Sequence, residues 1–175
     1  MEIVRVVIGT LDENCYVLKI DDKCLLIDPG ADADKIKEAM GEAKLLGILV
    51  THAHFDHVGA LREFLKNNRK LMVYKKSNLQ DLVEKEIGPF KFKCYYTPGH
   101  SSDSVSFYFK EENTLFVGDF IFKGTIGRTD LPTGSSADMQ KSLEKLKGFD
   151  NTTKIYSGHG ELTTLEEERK NNPYL

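Results

Sequence analysis

The stretch Leu45-Leu46-Gly47-Ile48-Leu49-Val50-Thr51-His52-Ala53-His54-Phe55-Asp56-His57 decides how this chain is read. Its first six residues form a continuous apolar run, the pattern of a strand covered on both faces. Three of the chain's five histidines then fall within six residues. Imidazole nitrogen and carboxylate oxygen are natural ligands of zinc and related divalent metals. At the end of a strand, His52 and His54 are separated by one small residue and can point to one side, while Asp56 and His57 enter the following turn. One short segment is thereby placed to serve two neighbouring metal ions. A polar surface loop or a tag remnant is the plainer alternative, but tags are terminal and lack the interleaved aspartate, and short His-rich tracts mean metal.

Working outward, the two remaining histidines occupy the same kind of place. His100 closes Tyr96-Thr97-Pro98-Gly99-His100, and His159 sits in Tyr156-Ser157-Gly158-His159-Gly160, each just past a segment that reads as a strand. The adjacent glycines let the backbone turn sharply and approach an ion closely. Asp119 follows Leu115-Phe116-Val117-Gly118; alone it would read as a turn acid, and beside five such histidines it reads as a ligand. Asp28, ending Leu25-Leu26-Ile27-Asp28, has two readings: a carboxylate that accepts the free N–H of a ligating histidine, or a turn acid before Pro29-Gly30. Arg128, in a glycine-bordered loop soon after Asp119, is suited to grip a substrate carboxylate with its planar fork, with a pairing to Asp130 as the alternative.

The rest of the chain supplies an ordinary scaffold. A length of 175 residues suits one domain spanning 1–175, and 40% apolar with 29% charged residues is globular composition. No apolar run approaches the roughly 18 residues that cross a bilayer, so no membrane partner is expected. The start, Met1-Glu2-Ile3-Val4-Arg5, lacks a basic region followed by an apolar one, which predicts a cytoplasmic protein. Cys15, Cys24 and Cys94 form no CxxC pair and read as half-buried thiols of a reducing compartment. A net charge of −3 gives no electrostatic basis for nucleic-acid binding. Strands are predicted at Ile3 to Ile8, Cys15 to Ile20, Cys24 to Ile27, Leu45 to Val50, Leu71 to Tyr74, Phe92 to Thr97, Val105 to Phe109, Leu115 to Val117 and Lys154 to Tyr156. Helices are predicted from Asp32, as cap, to Met40; through Val58, Leu61, Phe64 and Leu65 until Asn67-Asn68; after Ser135 through Met139, Leu143 and Leu146; and from Glu161 to Lys170.

His52-x-His54-x-Asp56-His57 followed by His100, Asp119 and His159 resembles the ligand set of the metallo-β-lactamase superfamily, over nearly the whole chain. The resemblance implies an α/β chain folded as a four-layer αβ/βα sandwich, with metals in a cleft at one edge of two facing sheets. It further implies that His52, His54 and His100 bind one metal, that Asp56, His57 and His159 bind the other, and that Asp119 bridges them. Gly118-Asp119-Phe120-Ile121-Phe122, Gly127-Arg128-Thr129-Asp130 and a tail running from Gly158-His159-Gly160 through Glu168-Arg169 to Asn172-Pro173-Tyr174-Leu175 are similar to short single-domain glyoxalase II-like proteins. Ser101-Ser102-Asp103 departs from the Thr-x-Gly those proteins often carry.

The function so implied is a binuclear hydrolase with two divalent ions, zinc foremost and iron or manganese as substitutes. Asp56 and Asp119 are the expected catalytic pair, holding and orienting a shared hydroxide. A thioester suits this chemistry, because its leaving thiolate has a parent pKa near 8.5 and needs no dedicated proton donor. The expected partner is a small-molecule acyl thioester such as S-lactoylglutathione. The competing readings are a persulfide dioxygenase with one iron, which shares the Gly-Arg-Thr-Asp segment, and a non-catalytic metal-stabilised binding module. Seven ligands for two metals leave coordination open for water and substrate, which argues against the module. A β-lactamase is expected less, since the start does not read as a secretion signal, and a nuclease would need a basic face.

Overall fold

The computed structural model describes every residue except Asn67 and Arg69. The first half contributes β1 (Glu2–Ile8), β2 (Glu13–Ile20), β3 (Lys23–Ile27), helix α1 (Ala33–Met40), β4 (Lys44–Leu49), α2 (Phe55–Val58), α3 (Leu61–Lys66) and β5 (Met72–Tyr74). These five strands form one sheet in chain order, antiparallel through β3 and parallel from β3 to β5, where α1 and then α2 with α3 supply the crossovers. The second half contributes β6 (Glu84–Ile87), β7 (Phe90–Tyr96), β8 (Val105–Phe109), β9 (Thr114–Gly118), a hairpin of β10 (Ile121–Phe122) and β11 (Thr125–Ile126), α4 (Ser136–Lys145), β12 (Lys154–Ser157), β13 (Thr163–Thr164) and α5 (Leu165–Asn171). Its six-stranded sheet has the order β13-β12-β9-β8-β7-β6, with β9 and β12 parallel.

Period-two alternation along the strands sorts the apolar side chains into three cores. On β2 and β3, Tyr16, Leu18, Leu25 and Ile27 turn toward the other sheet and meet Phe92, Phe107, Phe109 and Phe116. The intervening Cys15, Val17, Cys24 and Leu26 turn outward to Ile36 of α1 and Phe64 of α3. On the far sheet, Leu115, Val117 and Ile155 turn outward to Met139 and Leu143 of α4 and Leu165 of α5. Three cores separate four layers, helix, sheet, sheet, helix, which is the expected αβ/βα sandwich. Each such side chain, fully buried, stabilises the fold by about 1.5–3 kcal/mol before chain entropy is counted.

Several local expectations are corrected. The helix predicted from Val58 through Leu65 is two helices, because Ala60 N–H donates to Pro29 O and Gly59 lies so close to Gly30 O that a Cβ there would stand 2.3 Å from it. The predicted stop at Asn67 lies outside the described residues; α3 ends at Lys66. Asp32 precedes α1 in a left-handed conformation, and its carboxylate accepts from Gly9 N–H at 2.9 Å in place of a helix N–H. The last helix starts at Leu165, since Thr163-Thr164 first pairs with β12 and Thr164 Oγ1 then caps α5 by accepting from Glu167 N–H. The three cysteines are free and fully buried. The strand β6 went unread because Glu84, Lys85 and Glu86 are exposed, the charged signature of a sheet edge. Among the described residues, no helix is long and apolar enough to cross a membrane.

Candidate metal centre

The C-terminal ends of β3, β4, β7, β9 and β12 open onto one place. Asp28 follows β3, His52 and His54 follow β4, His100 follows β7, Asp119 follows β9 and His159 follows β12; Asp56 and His57 lie in α2. The structure brings together all seven predicted ligands. His54 Nδ1 lies 3.1 Å from His52 Nε2 and 3.0 Å from His100 Nε2. His159 Nε2 lies 3.2 Å from Asp56 Oδ2, and His57 Nε2 lies 3.7 Å from the same oxygen. Asp119 stands between these two groups: Oδ1 is 3.3 Å from His57 Nε2, and Oδ2 is 3.5 Å from His100 Nε2 and 3.7 Å from His159 Nε2.

Outer hydrogen bonds decide which nitrogen of each ring faces inward. His100 Nδ1–H donates to Arg128 O at 2.8 Å and His159 Nδ1–H to Leu11 O at 3.1 Å, so both present Nε2 to the centre. His57 Nδ1–H donates to Asp28 Oδ2 at 3.0 Å. Thr51 Oγ1–H donates to the same oxygen at 2.5 Å and faces His52 Nδ1 at 3.1 Å, which makes the hydroxyl the acceptor for that ring. Asp28 also accepts from Thr51 N–H at 2.7 Å, so one buried carboxylate, in a left-handed backbone conformation, anchors the start of the metal loop.

Close backbone approach completes the shell. A Cβ on Gly158 would stand 2.4 Å from Asp119 Oδ1 and 2.6 Å from His57 Cε1. Gly118 has φ +53°, which turns the chain so that Asp119 leaves the sheet toward the centre.

Electrostatics follow from burial and crowding. Burial pushes His52 down to about 2, with His57 adding to the effect. Burial likewise lowers His54, helped by His100. Burial opposes a proton on His57 too, but the adjacent Asp119 carboxylate and the hydrogen bond to Asp28 outweigh it and raise its pKa. Asp119 is held low by His57 against the pull of burial. Among the described residues, His57 Nε2 and Asp119 Oδ1 are buried without hydrogen-bond partners. Converging lone pairs and unpaired buried atoms of nitrogen and carboxylate character fit divalent cations, for which isolated hydrogen-bonding side chains would have no use.

Three residues that sequence reasoning missed support this centre. Asn14 donates Nδ2–H to Ser157 O and to Gly160 O, both at 3.0 Å, and its N–H reaches Gly158 O at 2.7 Å, pinning the loop of His159 from the opposite sheet. Thr51 performs the bridging just described. Glu13 is 1% exposed, has neither carboxylate oxygen hydrogen-bonded among the described residues, and lies 3.6 Å from His57 Nδ1. Burial pushes its carboxyl up to about 10. The signal available for Glu13 and Asn14 was two polar residues placed directly before the apolar run of Cys15 to Leu18.

A cleft of about 820 Å³ opens over the centre, with Leu11, Phe55, Ser101, Asp103, Arg128 and Thr133 among its walls. Arg128 is there, but its guanidinium forms a two-point pair with Asp130, Nε–H to Oδ1 at 2.8 Å and Nη2–H to Oδ2 at 2.6 Å. Asp103 joins two ligand loops: it accepts from Ala53 N–H at 3.1 Å and from Ser101 Oγ–H.

A family model described as metallo-beta-lactamase superfamily matches residues 8–77 and 73–159. The chain belongs to this superfamily. It is similar to the probable metallo-hydrolase YqgX of Bacillus subtilis, at 36% identity over 98% of this chain and 96% of that protein. It is also similar to the hydroxyacylglutathione hydrolase GloC of Haemophilus influenzae, at 28% identity over 100% and 98%. Among solved structures, the BLEG-1 B3 metallo-beta-lactamase matches with TM-score 0.94 and 32% identity, covering 99% of each chain. TTHA1623 in a di-iron-bound form matches with TM-score 0.87 and 32% identity, covering 98% of this chain and 100% of that one. A metal-dependent hydrolase of this superfamily is the function these relationships support.

Proposed function

We propose that the protein is a thioester hydrolase whose centre holds two divalent ions and whose substrate is a small-molecule acyl thioester of the S-lactoylglutathione kind. The observation that carries this reading is Asp119, a single carboxylate within 3.3–3.7 Å of imidazole nitrogens from both ligand groups at the floor of an open cleft. His52, His54 and His100 would hold one ion and Asp56, His57 and His159 the other, with Asp119 shared. Zinc suits this donor set, and iron and manganese accept the same ligands; the di-iron neighbour supports such exchange.

When bound, a pair of such ions polarises a carbonyl and supplies a nucleophile at neutral pH. The chain's own contribution is placement. Asp56 lies in α2 and lines the cleft, where its carboxylate can accept a hydrogen bond from the attacking water. Ser102 and Thr133 offer hydroxyls along one wall. The thiol half leaves as a thiolate of parent pKa near 8.5, so no side chain has to protonate it. The similarity to a hydroxyacylglutathione hydrolase along nearly its whole length supports this substrate class. Three free buried cysteines and a net charge of −3 fit a cytoplasmic enzyme of small molecules, without nucleic acid as partner.

Purified protein, analysed for metal and assayed on S-lactoylglutathione, a persulfide and a β-lactam, tests the proposal. About two ions per chain with thioester turnover is expected. One iron with persulfide-dependent oxygen uptake, β-lactam turnover alone, or no turnover at all would replace it.

A further inference from the structure

Two large apolar side chains stand in water at the mouth of the metal centre. Phe55, between His54 and Asp56 in the chain, is 72% exposed; Leu11, whose carbonyl oxygen holds His159, is 51% exposed. Scattered exposed apolar residues are ordinary. These two, however, both line a pair of adjoining cavities, the 820 Å³ cleft and a second of about 610 Å³. Asp56 also lines both, so the reacting centre lies where they meet. The second cavity takes apolar wall from Ile8, Ala31, Ala33 and Ala60, with Thr10, Glu13 and Asp32 also on its lining, and its size is that of a small-molecule site, typically about 300–1,000 Å³.

Hydrolysis of a thioester divides one molecule into an acyl half and a thiol half, and a centre at the junction of two cavities offers each half its own. The hydroxyls of Ser102 and Thr133, with Arg128 beyond them, suit a polar thiol half. We propose that the acyl half is an apolar chain several carbons long, which crosses Leu11 and Phe55 and enters the second cavity. The inference rests on the thioesterase reading and sharpens it, because a lactoyl group would leave that cavity unfilled. Covering the two exposed side chains removes apolar surface from water on both partners, and each further methylene of the acyl chain adds to the effect.

The test is a series of neutral thioesters of one thiol, N-acetylcysteamine, carrying acetyl, butyryl, hexanoyl and octanoyl groups, hydrolysed by the metal-loaded protein. kcat/KM is expected to climb by about tenfold or more from acetyl to octanoyl, well within what six partly buried methylenes supply. In Phe55→Ser the octanoyl-to-acetyl ratio should fall several-fold toward one, at a metal content confirmed by elemental analysis. Ala33→Leu, which narrows the second cavity away from the ligands, should cut octanoyl turnover more than acetyl turnover, and decides the matter if Phe55→Ser loses metal. A flat chain-length series in a protein that hydrolyses the acetyl ester overturns this inference and leaves the thioesterase reading standing. No hydrolysis of any member, nor of S-lactoylglutathione, overturns both.

Discussion

Asp28 accepts the Nδ1–H of His57 at 3.0 Å, and this one bond turns His57 Nε2 toward Asp119. The same carboxylate takes both donors of Thr51, so three groups of the metal loop converge on it. Carboxylates that orient a metal-binding imidazole also raise its basicity.

Asp28→Asn should therefore weaken metal binding by about 10–100-fold while the chain stays folded. An amide cannot accept from all three donors with the strength of a carboxylate, and its own N–H₂ would face the imidazole N–H. Metal retained after dialysis against a graded chelator measures this. Wild-type retention would show that Asp28 serves only the turn.

Asp119→Ala should reduce thioester hydrolysis to background while the metal-free chain stays folded, since the three apolar cores, and not this ligand, carry most of the stability of the sandwich. Metal stabilises a fold according to its affinity for the folded state. Added zinc should accordingly raise the Tm of wild type more than that of the variant. Near-normal turnover with full metal content would refute the bridging assignment.

Asp103→Ala should lower affinity at the three-histidine group in particular. Its carboxylate ties Ala53, beside His54, to Ser101, beside His100, and those two rings lie 3.0 Å apart. Asp103→Asn keeps an acceptor and should lie between the two. Cobalt(II) titration read by absorption distinguishes them, with one binding phase weakened in the variant and the other unchanged. Equal weakening of both phases would assign Asp103 a general structural role.

Much of this centre was legible in the sequence because five of its seven ligands sit just past an apolar strand, where a polar side chain has few structural duties, and Asp56 and His57 follow at once in α2. His52, His100, Asp119 and His159 announce themselves in that way. Glu13 and Asn14 did not, because their burial comes from the facing sheet: Glu13 is bridged to His159, which is 146 positions away along the chain. The break between α2 and α3 was hidden for a similar reason. Helical periodicity continues through Gly59-Ala60, and only the proximity of Pro29 and Gly30 diverts the backbone donors. Arg128 has two readings in the sequence, a grip on a substrate carboxylate or a pair with Asp130, and in the structure its guanidinium meets Asp130 within its own loop.

Glu13→Gln should change how stability depends on pH in the metal-free protein. Burial pushes Glu13 up to about 10 from its ordinary 4.5, so the folded chain keeps a proton that the unfolded chain releases. That contribution is complete below pH 4.5 and is lost as pH rises toward 10. Glutamine keeps the shape without the titration. The variant's advantage should grow with pH across this window, by no more than about 1.4 kcal/mol per pH unit, the limit for one proton. Urea unfolding in chelator at several pH values measures it, and parallel curves would show that Glu13 is ionised in the fold.

Arg128 offers the sharpest separation between substrate binding and loop structure. Its pair with Asp130 is short and two-pointed, yet the two side chains are 61% and 67% exposed, and an ion pair in water exchanges partners readily. A carboxylate on the thiol half of a substrate can thus replace Asp130 at the same planar fork. Lysine keeps the charge and loses the fork, so Arg128→Lys should raise KM for S-lactoylglutathione on the order of tenfold, with kcat nearly kept if the contact is equally strong in ground and transition states. Neutral N-acetylcysteamine thioesters, which carry no carboxylate, should be hydrolysed as by wild type. Arg128 O also accepts from His100 Nδ1–H, a main-chain contact that the substitution preserves. Equal losses on charged and neutral thioesters would mean that the side chain holds the loop, and through it His100, and does not touch the substrate.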